Sequence, residues 1–353
     1  MKKIFAVVIL VFVAFLMFYF GQPVLNYGYV QLPILILLLL LIGVVVFTKL
    51  AVNPANKQLV ITQKPSKIFK ILIAIVLAYV IILPLVTSLP MFRSNDYRNL
   101  IGEVKNGNDL KNHIAPISLD EIRVVDERLA MLLGEKIIGS QPSLGSQAEI
   151  GHFTIQKVNN ELYWVAPLLH TGFLKWFNNS EGTPGYVMVS ATNERDVKLV
   201  QEVNGKAVKI KYQPEAFFGS EIERHVYFSG FATIGLTDFS FEIDDAGLPF
   251  WVVTTYDKKI GFGGSDATGT LVVNAQTGEI TQYSLTDTPL WVDRIQPLHL
   301  IEEQLSDWGE YVQGYWNWSN ENKLETTEGL TLVYGENHKS YWYTGLSSVG
   351  KEE

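Results

Sequence analysis

Three long apolar runs open the chain, and shorter alternating patterns follow them. The runs cover Ile4–Phe20, about Val30–Phe47 and about Ile68–Pro90. A helix rises about 1.5 Å per residue, so each run can cross, or nearly cross, a hydrocarbon layer of about 30 Å. Inside a membrane the backbone must satisfy its own hydrogen bonds, which a helix does. We therefore predict three N-terminal transmembrane helices that form an anchor over residues 1–91.

The first run also fits a cleaved signal peptide, because Lys2 and Lys3 precede it. No cleavage site with small residues follows, since the next residues read Gly-Gln-Pro. The aromatic segment Phe18–Phe20 instead fits the aromatic belt at a membrane surface. We therefore expect the first run to be retained as a helix.

Charge is divided unevenly along the chain and predicts its orientation. Residues 1–92 contain seven lysines and no acidic residue, whereas residues 93–353 contain 21 basic and 36 acidic residues. The loop between the second and third runs carries four of these lysines, at positions 49, 57, 64 and 67. Positive loops stay on the cytoplasmic side. The sequence thus predicts a protein of the bacterial cytoplasmic membrane, in contact with membrane lipid, with its N-terminus inside and residues 92–353 extracytoplasmic.

Residues 92–116 are polar and rich in asparagine, which is typical of a linker or stalk with one short helix. A repeat follows this segment, in which a polar turn precedes an aromatic residue and a tryptophan. The three tryptophans are Trp164, Trp251 and Trp342, at spacings of 87 and 91 residues. Because they occupy one place in a repeat, we expect a shared packing role for them rather than a binding site.

A helix is predicted before each of these tryptophans, from apolar residues that recur at three and four positions. The predicted helices are Ile117–Ile138, Pro214–Phe228 and Leu298–Tyr315. At the start of the first helix, Ser118 and Glu121 fit a capping box, in which each side chain bonds a free backbone amide.

Alternating strands joined by short polar turns follow the helices of the first two units. The predicted strands are Phe153–Val158 and Leu162–Pro167 in the first unit, and Asp238–Ile243 and Pro249–Thr255 in the second. A further hairpin, Val187–Val200, matches Leu271–Leu285 and aligns Ala191 with Ala275.

The predicted fold is therefore a membrane-anchored α+β protein, with three transmembrane helices followed by repeated helix-plus-antiparallel-hairpin modules. The modules are expected at residues 117–205, 206–290 and 291–353. The second hairpin of the third module would fall after Glu353. We therefore expect this module to be incomplete and the chain to be part of a longer protein.

The segment Val273–Tyr283, VNAQTGEITQY, places Asn274, Thr277, Gly278 and Glu279 in a hairpin turn. This turn resembles the C-terminal hairpin of PepSY domains, in which a helix packs on a small antiparallel sheet. The first unit reads SATNERD at the same place and departs from that pattern. The resemblance implies an extracytoplasmic interaction or inhibitory module, often met near peptidases, without chemistry of its own.

The residue types exclude several kinds of chemistry. The chain has no cysteine, which rules out disulfides, thiolate zinc sites, iron–sulfur clusters and a cysteine nucleophile. A net charge of −8 argues against a nucleic-acid partner. The six histidines form no HExxH motif and no i, i+4 pair, so the sequence indicates no helical zinc site and no cofactor. Among them, His170 is predicted in a loop after a strand and is the first candidate for a metal or a partner.

Two acidic pairs suit a glycosidase by composition, since that chemistry needs two carboxylates about 5–10 Å apart. They are Asp244 with Asp245, and Asp307 with Glu310. The first pair lies in a predicted turn, where aspartate bonds nearby backbone, and the second fits a solvated helix face. The glycine-rich segment 261–266 lacks the third glycine of a GxGxxG motif and a following helix, and is predicted to be a mobile loop.

Aromatic residues are densest at positions 308–318, WGEYVQGYWNW. Trp308, Tyr311 and Tyr315 share a helical stripe and are predicted to pack on the sheet. Trp316 and Trp318 fall beyond that stripe and are predicted to be exposed anchors for a partner, for a glycan or for a missing portion of the chain. Together with His170, they are the partner-binding residues that the sequence indicates.

These observations favour a non-enzymatic, membrane-anchored extracytoplasmic protein of the bacterial cell envelope, with an interaction, scaffolding or regulatory role and a protein partner. Two alternatives stay open: an exported carboxylate-dependent enzyme acting on wall or polysaccharide, and a subunit of an envelope transport or channel complex. The sequence also leaves open whether copies of the chain form a homo-oligomer.

Overall fold

The computed structural model describes residues 2–52, 59–63, 66–105, 122–141, 144–327, 329–335 and 340–349. Its N-terminal part holds three apolar helices, α1 (Lys2–Gly21), α2 (Gln31–Phe47) and α3 (Lys67–Thr87). An antiparallel hairpin of β1 (Lys49–Val52) and β2 (Leu59–Gln63) joins α2 to α3. A fourth helix, α4 (Pro90–Asn99), follows closely and is kinked at Arg93.

Of the described helices, α3 alone is both long and apolar enough to cross a membrane. The described part of the chain buries no residue of α3. The apolar stretches of α1 and α2, Val7–Gly21 and Gln31–Val46, are shorter than the about 20 residues that a span needs. The prediction of three spans is therefore not supported, because over the described residues α3 is the one helix that meets both requirements.

One side of the helix bundle meets the second repeat unit directly. In the loop from α1 to α2, the Leu25 amide donates to the Ala232 carbonyl at 2.7 Å, and the Pro23 carbonyl accepts from the Tyr227 hydroxyl at 2.6 Å. After α3, Ser88 Oγ accepts from the Phe262 amide at 2.7 Å. The end of α1, the start of α2 and the end of α3 therefore lie on the side that faces this unit, and the β1–β2 hairpin lies at the other ends of α2 and α3.

The first residues of the predicted linker at 92–116, namely 92–99, belong to α4. Tyr97 is buried, and its ring centroid lies 6.4 Å from that of Tyr311 in the third unit. The Arg98 guanidinium also donates to the Val312 carbonyl. The short helix that the linker prediction included is therefore α4, and Tyr97 and Arg98 hold it against the third unit. Residues 106–116 lie outside the described residues.

The first unit contains one long helix and an antiparallel sheet in the order β4–β5–β6–β7, with β3 paired to the end of β5. Its helices are α5 (Glu127–Gly139) and the short α6 (Phe173–Asn178). Its strands are β3 (Ala148–Ile150), β4 (Thr154–Val158), β5 (Glu161–His170), β6 (Tyr186–Ser190) and β7 (Val197–Val200), followed by the small hairpin of β8 (Glu202–Val203) and β9 (Lys206–Ala207).

The helix α5 begins later than the sequence predicts. Asp126 caps it, with a carboxylate oxygen that accepts from the Leu129 amide at 2.7 Å. The residues just before it are extended because the amides of Val124 and Val125 both donate to the Ala191 carbonyl. The predicted capping residues at positions 118 and 121 lie outside the described residues.

The second unit has a four-stranded antiparallel sheet in the order β10–β11–β12–β13. Its strands are β10 (Gly235–Ile243), β11 (Pro249–Ile260), β12 (Gly263–Asn274) and β13 (Ile280–Ser284). The helix predicted at 214–228 is broken into short pieces, which are a 3-10 turn (Phe218–Ser220), α7 (Ile222–Val226) and a π turn (Tyr227–Phe231).

The glycine-rich segment 261–266 is part of a hairpin rather than the mobile loop that we predicted. Ile260 pairs with Gly263, so Gly261 and Phe262 alone form the turn between β11 and β12. Gly261 has a φ of 61°, a conformation that glycine adopts without steric cost. A Cβ atom at Gly261 would also collide with the Thr87 side chain at the end of α3.

The third unit contains α8 (Leu298–Glu310), which ends before the predicted Tyr315. Its strands form two antiparallel pairs, one inside the other along the chain, in which β15 (Thr331–Tyr334) pairs with β16 (Ser340–Tyr343), and β14 (Leu324–Thr326) pairs with β17 (Leu346–Ser348). The coarse prediction of an α+β protein with several antiparallel sheets is confirmed.

The units pack on one another through shared cores. Phe241 and Trp251 of the second unit lie in one core with Val165 of the first. A buried glutamine also bridges the edge strands β4 and β10. Gln156 of β4 donates to the Phe241 carbonyl at 2.7 Å and accepts from the Ile243 amide at 2.9 Å. A smaller core holds residues of the first and third units, namely Ile155, Ala191 and Leu332.

Candidate functional site

The loop that follows α8 is held by a small set of polar contacts. Asn317 is buried, donates to the Glu321 carbonyl at 2.8 Å and accepts from the Ser319 hydroxyl at 3.0 Å. At the far end of the loop, the ammonium group of Lys323 lies 2.6 Å from a carboxylate oxygen of Glu310, the last residue of α8. The loop is thus tied within itself and back to the helix.

Two tryptophans project from this braced loop. Trp316 is 61% exposed and Trp318 is 80% exposed, and their rings meet edge to face with centroids 5.6 Å apart. The backbone between them is closed by a bond of 2.9 Å from the Trp318 amide to the Trp316 carbonyl. A rigid, exposed aromatic pair loses little conformational entropy when it is covered, and such residues carry much of the binding energy at protein interfaces. We call residues 316–318 the tryptophan loop.

The tryptophan loop lies beside the segment that leaves α3. Gly314 lies close to Ser94 of α4, and Tyr315 stacks its edge on the Trp316 ring at a centroid distance of 5.2 Å. Tyr315 is itself 41% exposed, so its predicted packing on the sheet is wrong, because α8 ends before it. Trp308 and Tyr311, by contrast, are partly buried.

The structure does not bring His170 to the tryptophan loop. His170 is the last residue of β5 and is 1% exposed, so its predicted place in an accessible loop is wrong. Its amide donates to Gln213 at 2.8 Å, while both ring nitrogens are buried with no hydrogen-bond partner among the described residues. Burial lowers the pKa of this imidazole. It therefore offers a partner no accessible surface.

The acidic pairs considered from sequence have structural partners. Asp244 accepts from the amides of Ala246 and Leu248 and so closes its own turn, while Asp245 accepts from the Asn159 amide at 3.1 Å in the neighbouring hairpin. Glu310 is paired with Lys323, as described above. Asp307 is half-buried, and burial together with Glu303 and Glu310 raises its pKa to about 6.

A buried acid cluster that the sequence did not indicate lies where the three units meet. Glu242 of β10 is fully buried and accepts from the Asp293 amide at 2.9 Å and from the Ser240 hydroxyl at 3.1 Å. The carboxylate of Asp293, also buried, accepts from the Lys157 amide at 2.8 Å and from the Tyr334 hydroxyl at 3.0 Å. Asp293 therefore connects the first unit to the third, and Glu242 connects the second unit to Asp293.

Burial dominates the electrostatics of this cluster. It raises the pKa of Glu242 to about 7, against the opposing effects of hydrogen bonds and of Arg294. Burial and the nearby Glu242 raise the pKa of Asp293 well above its usual range, and burial with Asp293 raises that of Tyr334. The cluster thus holds a proton at a pH where free carboxyls would have lost it.

Two clefts meet at Asp238 and Phe239. One has a volume of about 170 Å³ and lies between the first and second units, with Arg294 and Trp251 in its wall. The other, of about 420 Å³, lies between the α1–α2 loop and the second unit, and Glu223 lines it. The first cleft has charges of both signs, whereas the charged residues of the second, Glu223 and Asp238, are both acidic. No group of three or more histidine or acidic side chains in the described ranges could hold a metal ion.

The turn behind the resemblance to PepSY domains is well formed. The Asn274 side chain accepts from the amides of Gln276 and Thr277, both at 3.0 Å, and the Thr277 hydroxyl accepts from the Glu279 amide at 3.2 Å. Gly278 has a φ of 77°. Comparison with known protein families, with curated proteins and with solved structures finds no match to this chain. The resemblance therefore stays a prediction that rests on this turn.

Proposed function

We propose that this chain is a non-enzymatic, membrane-anchored interaction protein of the bacterial cell envelope that presents its tryptophan loop to a protein partner outside the cytoplasm. In this proposal α3 crosses the membrane, and the shorter apolar helices α1 and α2 pack along it. The lysines around the β1–β2 hairpin face the cytoplasm, since positive segments are retained there. The repeat units, at the other ends of the helices, then lie outside.

The observation that carries the proposal is the exposure of Trp316 and Trp318 on a loop that is already fixed. Truncation of a central tryptophan in a protein interface typically costs about 2 kcal/mol or more of binding free energy. A flexible loop would lose part of its binding free energy as conformational entropy when the partner orders it. The contacts of Asn317 and Lys323 already order the tryptophan loop before binding.

The acidic residues favour interaction over hydrolysis. Glu242 and Asp293 are buried and engaged with backbone amides, and Asp244 and Asp245 hold turns. A glycosidase needs two carboxyl groups that a sugar can reach. These four carboxylates are bound to backbone amides instead.

The interaction is tested by photo-crosslinking in native membranes. A photoreactive phenylalanine analogue replaces Trp318 in the full chain, and the matched control places it at Tyr343, which is 53% exposed at the end of β16. We expect a discrete protein adduct from position 318 and none from position 343. No adduct at 318, or equal adducts at both positions, would contradict the proposal.

Sidedness is tested separately with single cysteines, because the natural chain has none. A membrane-impermeant maleimide applied to intact cells should label Glu194→Cys, which lies on the exposed turn before β7, and should leave Asn56→Cys in the lysine-rich loop unlabelled. Both variants should react after the membrane is opened. The reverse pattern would place the repeat units in the cytoplasm.

A further inference from the structure

A second aromatic surface is formed jointly by the first and second units. It joins α6, whose sequence is FLKWFN, to the 3-10 turn at Phe218–Ser220. Phe173, Leu174, Phe177 and Phe218 are 44%, 73%, 66% and 58% exposed. We call these residues, with Trp176 and Phe217, the aromatic patch. A contiguous apolar surface of this kind usually marks a contact with a protein or a membrane.

The rings of the aromatic patch are packed against one another. Phe217 meets Phe173 edge to face at a centroid distance of 5.2 Å and lies 5.6 Å from Trp176, which is also 5.6 Å from Phe218. Phe218 has a φ of 55°, which is rare for a bulky residue. The patch is therefore a rigid surface, and its backbone keeps Phe218 pointing outward at a conformational cost.

Arg224 connects the aromatic patch to the end of α1. Its guanidinium donates to the Phe218 carbonyl at 3.0 Å and lies 4.7 Å from the centroid of the Tyr19 ring. Phe228, which is 49% exposed, stacks on the other aromatic residues there, with its centroid 5.8 Å from that of Tyr19. The patch is thus continuous with the aromatic residues in the last turn of α1.

We propose that the aromatic patch rests on the lipid bilayer, with its rings at the level of the head groups, as a second attachment beside the helices. This inference depends on the membrane anchor of the proposed function. Phenylalanine, tryptophan and leucine bury their apolar parts at this depth, and the exposed Lys175 can face lipid phosphates. A bilayer is the occupant that the position favours, because the patch borders the end of an apolar helix whose own aromatic residues belong at the interface.

The patch also fixes the orientation of the repeat units. A single span would let the repeat units rotate and tilt relative to the membrane, whereas a second contact with the bilayer restricts both motions. In that orientation, the clefts at Asp238 and the tryptophan loop keep a constant distance from the membrane, since both lie near the helix ends.

The test measures depth in the bilayer with a fluorescent label on single cysteines in the full chain, reconstituted in nanodiscs of phosphatidylcholine and phosphatidylglycerol. Leu174→Cys reports on the patch, and because Leu174 is 73% exposed the change should leave the fold intact. Leu290→Cys is the matched control and is 68% exposed. The next residue, Trp291, packs on Phe250 at the start of β11, and the opposite end of that strand is the one that lies near the helices. Leu77→Cys in the middle of α3 reports on the anchor.

We expect spin-labelled lipid to quench the label at position 174 at least threefold more than the label at 290, and aqueous iodide to show the reverse order. Equal quenching at 174 and 290, with the label at 77 protected by lipid, would overturn the patch proposal and leave the anchor in place. A label at 77 that is open to iodide would overturn both. The three positions therefore distinguish the failure of the inference from the failure of the proposed function.

Discussion

The indole nitrogen of Trp251 donates a hydrogen bond of 2.7 Å to the carbonyl of Tyr212, 39 residues earlier in the chain. Trp164 makes the same bond to Val125, at 2.9 Å and again across 39 residues. Trp342 repeats it to Gln296 at 2.8 Å, across 46 residues. In each unit, a tryptophan in the second strand of a hairpin thus holds the segment that leads into the unit's helix.

The equivalence extends to the aligned alanines. The Ala191 carbonyl accepts from the amides of Val124 and Val125, and the Ala275 carbonyl accepts from those of Lys211 and Tyr212. In the first two units, these bonds therefore hold the same segment before the helix that the tryptophan also bonds. The repeat predicted from tryptophan spacing therefore has a common set of hydrogen bonds, which gives a reason for its conservation within the chain.

We expect Trp251→Phe to lower the free energy of unfolding by about 2–3 kcal/mol, because it removes a buried donor and part of a buried ring. Chemical unfolding of the detergent-solubilised chain, followed by circular dichroism, measures the change. The matched variant Trp318→Phe, at an exposed ring, should stay within about 0.5 kcal/mol of the natural chain. Equal losses in the two variants would show that the repeated tryptophan has no special packing role.

The buried acid cluster predicts a pH dependence of stability. The pKa of Glu242 is about 7 in the folded chain and near 4.5 in the unfolded chain, so folding favours the protonated form. The stabilisation is complete below pH 4.5 and is lost as the pH rises through 7, by up to about 3 kcal/mol. Asp293, whose pKa is also raised, acts in the same direction.

We expect Glu242→Gln to remove most of this loss, so that the free energy of unfolding changes less between pH 4.5 and pH 7.5 than in the natural chain. Glu194→Gln, on an exposed turn, is the control and should keep the original pH dependence. Denaturant unfolding at several pH values gives the comparison. Parallel curves for the natural chain and Glu242→Gln would contradict the assignment.

The turn between β4 and β5 predicts that alanine and glycine at position 160 have different effects on stability. Asn159 and Asn160 have φ values of 49° and 69°, as a two-residue turn of this hand requires. Asn160→Ala should cost about 1 kcal/mol of stability, because alanine is disfavoured at positive φ, whereas Asn160→Gly should be neutral or stabilising. Thermal unfolding of the two variants side by side is the measurement, and the reverse order would exclude this turn.

The bracing of the tryptophan loop predicts an effect of Lys323 on partner binding. Lys323→Met keeps the packed stem of the side chain but removes its contact with Glu310. Since Glu310 is exposed and stays hydrated without its partner, the fold should persist, while the yield of the adduct from position 318 should fall several-fold. Lys259→Met, which alters an exposed ion pair with Asp257, should leave the yield unchanged.

Turns and the repeat could be predicted from sequence because they depend on neighbouring residues. The Asn159–Asn160 turn and the turn at Asn274–Glu279 are set by side chains that bond backbone two or three positions away, or by residues that tolerate positive φ. The positions of Trp164, Trp251 and Trp342 were evident from their spacing, although their hydrogen-bond partners were not. Exposure of Trp316 and Trp318 followed from their place beyond a helical stripe.

Other features could not be predicted, because their cause lies far away in the chain. Ser240 and Glu242 occupy the polar positions of an alternating strand, which normally face water, but the segment that contains Asp293 covers them. His170 was predicted in a loop, yet its pairing with Ala148 of β3 extends β5 through it. The aromatic density of FLKWFN was a usable signal for the patch that sequence reasoning did not use.

The sequence by itself determined the division into apolar helices and acidic repeat units, the three tryptophan positions and the turns, since each is encoded in composition or in contacts between near neighbours. Only the tertiary structure decided where helices begin, which acids are buried and which aromatic residues form one surface. Those outcomes depend on the free energy of desolvation and on hydrogen bonds between residues tens to hundreds of positions apart, which no local pattern records.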